Sequence, residues 1–166
     1  DRGWDYAFFR TEALGDGRVL VHGGRAARGR GDMFVYDTAK GTYGKTAREL
    51  FRASALTAAG ESVYAQHARG HALVRYDLLG RAMQSYPMPK GVEAKASAYH
   101  PGRGLLLFWD GGTDTLAFDL ARAEWHPVGL APDGPAPQGR KNGVWGAWTY
   151  VAAHDVFVGQ AKGSDG

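Results

Sequence analysis

The sequence predicts an all-β chain built from repeated four-stranded antiparallel sheets. Three observations carry that expectation. An aromatic–Asp pair recurs as Tyr36-Asp37, Tyr76-Asp77 and Phe118-Asp119, so the copies lie about 40 residues apart. Glycine, at 25 residues, has about twice its average share, and aromatic residues reach 12%; that mixture suits short strands and tight turns. No stretch keeps an apolar period of 3.6 residues, so helix is expected to be near zero.

Within each copy the residues before the pair alternate as a half-buried strand does. Phe34 shares a side with Tyr36, Val74 with Tyr76 and Leu116 with Phe118. Seven positions after each aromatic stands another large residue: Tyr43, Met83 and Trp125. The stretch between them opens on Asp, which accepts hydrogen bonds from the backbone N–H groups of the turn it starts. Each copy therefore reads as strand, tight turn, strand.

A further strand precedes each of these hairpins. Arg18 to His22 runs into Gly23-Gly24, Ser62 to His67 holds the same place, and Leu105 to Trp109 leads to Gly111-Gly112. A fourth copy runs from Asp155 to Val158 and ends at Gly159. Upstream of each lies one more apolar strand: Asp5 to Phe9, Ser54 to Thr57, Ala96 to Tyr99 and Trp148 to Val151. Turns such as His100-Pro-Gly-Arg-Gly104 and Ala152-Ala-His-Asp155 join it to the next strand.

Four short strands in every ~45 residues are the pattern of a β-propeller blade, which is stable only when stacked on its neighbours. The expected fold is thus a β-propeller of four-stranded antiparallel blades. Its boundaries are 1–47 for blade 1, 48–89 for blade 2, 90–131 for blade 3 and 132–166 for the first half of blade 4. Three and a half blades do not close a ring. The propeller is expected to be incomplete in this chain, with missing blades or another chain needed to close it.

The double glycine, the aromatic and the large aromatic seven positions on resemble the kelch repeat. Gly23-Gly24, Tyr36 and Tyr43 carry the likeness in one copy, and Gly111-Gly112, Phe118 and Trp125 in another. The middle copy departs, with His67-Ala68 in place of the glycines and Met83 in place of the aromatic. The resemblance implies ligand sites around the axis, on the face that gathers the loops between strands two and three.

On that face Arg25, Arg28 and Arg30 crowd one Gly- and Ala-rich loop, and His67, Arg69 and His71 stand in the next. The planar guanidinium fork grips carboxylate, sulfate or phosphate with paired bonds, so these residues form a candidate anion clamp. As plain surface chemistry they are solvated charges on a mobile loop. The proline-rich connection from His126 to Val144 leads through Arg140 and Asn142 to Trp145, a candidate sugar-stacking platform. Trp148 and Tyr150, alternating on a strand, fit packing between blades better.

Bulk properties narrow the classes. The chain has no cysteine, which removes disulfides, thiolate metal sites and cysteine nucleophiles. The net charge of +3 is small for a nucleic-acid binder. The longest apolar run, Leu105 to Trp109, is far below the roughly 20 residues of a membrane helix. His67 and His71 have no evident third ligand, and neither a metal nor a cofactor is expected. No nucleophile elbow, P-loop or zinc-protease motif occurs.

The expected function is binding, of an acidic polysaccharide or a protein, through the basic loop face, in an extracellular or periplasmic setting. One alternative is a catalytic propeller, a polysaccharide lyase or glycoside hydrolase, with Arg25, Arg28, His67, His71 and Tyr150 as its local candidates. Another is a structural subunit of a larger assembly.

Overall fold

A computed structural model describes residues 10–23, 30–51, 53–67, 71–79, 81–92, 94, 96–110, 115–129 and 148–159. These residues form fourteen strands and no helix, and no helix among them is long and apolar enough to cross a membrane.

The first sheet holds β1 (Arg10–Ala13), β2 (Arg18–Gly23), β3 (Arg30–Asp37) and β4 (Thr42–Phe51). The second holds β5 (Ala53–Ala59), β6 (Ser62–His67), β7 (Ala72–Asp77) and β8 (Ala82–Pro87). The third holds β9 (Ala96–His100), β10 (Leu105–Trp109), β11 (Thr115–Asp119) and β12 (Glu124–Val128). β13 (Trp148–Val151) and β14 (Val156–Gly159) pair as a two-stranded sheet. Every sheet is an antiparallel meander in chain order. In the first sheet the leading strand is Arg10–Ala13, downstream of the expected 5–9, and residues 1–9 lie outside the described ones. Its register is set by four pairs with β2, from Arg10 opposite His22 to Ala13 opposite Val19.

The leading strands β1, β5, β9 and β13 are neighbours in space, and the sheets stack face to face. Leu20, Met33 and Val35 of the first sheet meet Leu56, Ala58, Val63, Ala65 and Tyr76 of the second. The opposite face of the second sheet, through Ala55, Tyr64 and Leu73, meets Leu106, Phe108 and Phe118 of the third. Ala96 and Trp109 then meet Trp148. The middle sheet is covered on both sides. That is why residues 62–66 are all buried and the strand lacks a polar alternation.

The Asp that ends each third strand caps its turn. Asp37 Oδ1 accepts from Ala39 N and Lys40 N at 3.1 and 3.0 Å, and Asp119 Oδ1 from Ala121 N and Arg122 N at 2.8 and 3.0 Å. Asp77 Oδ1 accepts from Arg81 N at 2.9 Å. The seven-residue aromatic spacing puts Tyr36 opposite Tyr43 and Phe118 opposite Trp125, with ring centroids 4.6 and 4.8 Å apart. The middle copy differs: a register shift between Arg75 and Tyr76 pairs Tyr76 with Ala82, and Met83 is 59% exposed.

Candidate functional site

The four leading strands border a cavity of about 500 Å³. Because β1, β5, β9 and β13 are each the end strand of their sheet, one edge of every one is unpaired within its sheet and available to this space. Thr11 to Ala13, Leu56 and Ala58, Ala96 to Tyr99, and Trp148 to Tyr150 supply the walls. Leu14, Gly15, Gly60 and Pro101 add the first turn of each four-stranded sheet. The cavity therefore opens at the end where first strands turn into second strands. Ala58, Ala96 and Ala98 are the small residues of that wall.

Among the described lining residues Glu12 is the sole carboxylate, and there is no Lys, Arg or His. Thr57 Oγ1 lies 3.5 Å from Glu12 Oε2 and donates to it. Ser97, 4% exposed, carries a buried Oγ with no hydrogen-bond partner among the described residues, and the same holds for Trp148 Nε1. Both belong to lining residues, on neighbouring sheets.

Beside the cavity mouth the third and fourth sheets are joined by a polar cluster. His100 Nε2 lies 2.7 Å from Asp155 Oδ1, and Tyr150 Oη donates to the same oxygen at 2.8 Å. Arg103 Nη2 reaches Asp155 Oδ2 at 3.5 Å, and the His100 ring stacks on Tyr150 at 4.4 Å. The bond from Tyr150, helped by the charges of His100 and Arg103, holds the Asp155 carboxyl below its ordinary range. The same bond holds the Tyr150 phenol above its own. Asp155 takes a left-handed φ of 51° in this turn, a region that Asp tolerates better than most residues. At the equivalent turns of the first and second sheets, Arg18 pairs with Asp16 and with Glu61.

The residues nominated from sequence fall elsewhere. Arg25, Arg28, Arg69, Arg140, Asn142 and Trp145 lie outside the described residues. Arg30 starts β3 and His67 ends β6, at the end of the sheets away from the cavity mouth. His71, just before β7, is exposed, and its carbonyl accepts from Met88 N at 2.8 Å. Among the described residues no group of three or more His, Cys, Asp or Glu stands ready to hold a metal ion. Trp148 and Tyr150 pack between sheets as expected, Trp148 against Trp109 at 4.9 Å and Tyr150 against His100. Sequence reasoning missed both the cavity and the His100–Asp155 pair. The signal for the pair was the matching place of their turns in successive copies.

Comparison with solved structures fixes the architecture. Virginiamycin B lyase from Staphylococcus aureus, in selenomethionine-substituted form, superposes with a TM-score of 0.56 at 13% identity. The match covers 95% of this chain and 49% of that one. A catalytically inactive form of that lyase with Quinupristin gives 0.53 at 12% identity, over 99% of this chain and 58% of that one. The fold is a β-propeller. The four sheets are its blades, and the cavity lies along its axis. This chain spans about half the length of those propellers, and likeness at such identity concerns fold alone. No family model matches the chain, and no curated protein sequence does.

Proposed function

We propose that this chain is a ligand-binding β-propeller that takes its ligand in the axial cavity. The observation that supports the reading is the cavity of about 500 Å³, walled by the leading strands of all four blades. Ligand pockets run from roughly 300 to 1,000 Å³ and combine apolar walls with a few placed polar groups, which is the composition here. The test is a plug. Ala13 is exposed and lines the cavity, so Ala13→Trp fills the space without touching the cores. A ligand found by screening glycans and peptides should lose most of its affinity for this variant. Unchanged affinity would move the site elsewhere.

The basic residues nominated from sequence, Arg25, Arg28, Arg30, His67, Arg69 and His71, make a second contact surface in this reading, for an acidic polysaccharide or a protein partner. Retention on heparin that survives Arg25→Ala, Arg28→Ala and Arg30→Ala together would sink that part. A kelch-like blade is supported by the cross-strand ring pairs Tyr36–Tyr43 and Phe118–Trp125, both tilted.

A catalytic reading has one observation in its favour. Tyr150 lines the cavity and shares the Asp155 carboxylate with His100, a grouping suited to moving a proton. The similar S. aureus propellers are lyases, and turnover lost in both Tyr150→Phe and His100→Gln would favour this reading over binding alone.

A further inference from the structure

We propose that two copies of this chain associate head to tail, the fourth sheet of each seated on the first blade of the other. The inference goes beyond the ligand-binding reading and does not depend on it.

One contact recurs between successive blades. In the second blade Val63 lies opposite Tyr76, and both pack on the first blade. In the third, Leu106 lies opposite Phe118, and both pack on the second. All four are at most 6% exposed. The equivalent pair in the first blade is Val19 opposite Tyr36. Their neighbours Leu20 and Val35 face the second blade, so by strand alternation Val19 and Tyr36 face away from it. Val19 and Tyr36 are half-buried, and Tyr43, opposite Tyr36, is 68% exposed.

The fourth sheet carries the other side of the same contact. Phe157 faces the third blade, where its ring meets His100. Val156 and Val158 therefore point the other way, and they are 44 and 51% exposed. Val151 pairs with Val156 as His100 pairs with Leu105, which puts Val158 in the place of Leu107. The same place is held by Leu20 in the first blade and Tyr64 in the second, and each packs on the blade that follows. No following blade covers Val158 among the described residues.

One chain thus presents both sides of a contact that it already makes between its own blades. Exposed apolar faces of this kind mark association sites. The contact is heterologous, and such contacts close when their rotation adds up to a full turn. Two copies bring eight sheets, and typical propellers have four to eight blades. This chain covers 49 and 58% of the two solved propellers, so two copies match such a ring in length. In that ring the leading strands of the second copy supply the rest of the cavity wall.

The experiment is sedimentation equilibrium of the full chain, with twice the chain mass expected. Val158→Lys should weaken the dimer about tenfold or more, since it places an unpaired charge in the contact. Its near-ultraviolet dichroism should match the parent, because Val158 is exposed in the single copy. The chain has no cysteine, so a short bismaleimide reads the geometry. Tyr64 and Leu106, the equivalents of Val158 and Val19, share one core cluster. A mixture of Val19→Cys and Val158→Cys should therefore cross-link, and neither variant should do so alone. A single-copy mass at every concentration would overturn the proposal. A mass that grows without limit would overturn the closed pair, and a cross-link in Val19→Cys alone would overturn the head-to-tail arrangement. A dimer that binds no ligand would support the association and count against the cavity reading only.

Discussion

Trp125 Nε1, on the outermost strand of the third blade, donates to the Pro87 carbonyl on the outermost strand of the second, at 2.9 Å. The same indole packs on Phe108 and Phe118, 5.3 and 4.8 Å away. One side chain thus closes the outer margin of the blade interface, joining an apolar contact to a hydrogen bond. Trp125→Phe keeps most of the ring contact and loses the donor. The expected cost is about 1 to 1.5 kcal/mol, read as a fall in the urea midpoint. No change in midpoint would mean that the bond contributes nothing to blade stacking.

Gly159 ends β14 opposite Trp148. A Cβ there would stand 2.7 Å from Trp148 Cε3 and 2.8 Å from Trp109 Cζ3, atoms of rings packed against each other. Neither large ring has a flexible end that can move aside. Gly159→Ala should cost about 1 to 3 kcal/mol through overpacking and alter the tryptophan near-ultraviolet dichroism. A variant as stable as the parent would show that the interface between the third and fourth blades is loose.

Two equivalent turns make a matched pair. Gly41 and Ala123 both donate to the carbonyl of the Asp four residues back, and both have left-handed φ, 64° and 58°. Glycine adopts that region freely, and alanine does so at a cost. Ala123→Gly should therefore raise stability by about 0.5 kcal/mol, the relief being partly offset by the freer unfolded chain. Gly41→Ala should lower stability by about 1 kcal/mol, although open space surrounds its Cβ position. Thermal unfolding of the two variants should shift in opposite directions.

The turn-capping carboxyls set an acid limit. Asp37 is held below its ordinary range by Lys40, through a side-chain and then a backbone bond. Asp77 and Asp119 are held low first by the backbone N–H groups of Arg81 and Arg122. A folded pKa below the unfolded one means stabilisation that is complete above the unfolded value, about 3.9, and lost as pH falls through the folded value. Asparagine keeps the turn acceptor but does not titrate. Combining Asp37→Asn, Asp77→Asn and Asp119→Asn should flatten the decline of the urea midpoint below about pH 4. An unchanged slope would assign the acid sensitivity to other carboxyls.

Much of the fold was legible because the repeat is local. The Asp-capped turn and the cross-strand pairs Tyr36–Tyr43 and Phe118–Trp125 depend on residues seven apart, within one hairpin. Met83 misled because a register shift, invisible in spacing alone, takes Tyr76 to Ala82. The cavity was illegible for a different reason. Its walls come from four strands far apart in sequence, and Ala58, Ala96 and Ala98 look like ordinary packing residues. His100 and Asp155 each read as turn residues, and only blade stacking brings them within 2.7 Å.

The chain has no cysteine, so Thr149→Cys places a single thiol on the cavity wall. The rate of its alkylation, with and without a saturating ligand, reports directly on occupancy of the axis. Alkylation slowed roughly tenfold or more by the ligand, against a calorimetric tenfold scale of 1.4 kcal/mol, is the expected result. An unchanged rate under ligand saturation would contradict binding in the axial cavity.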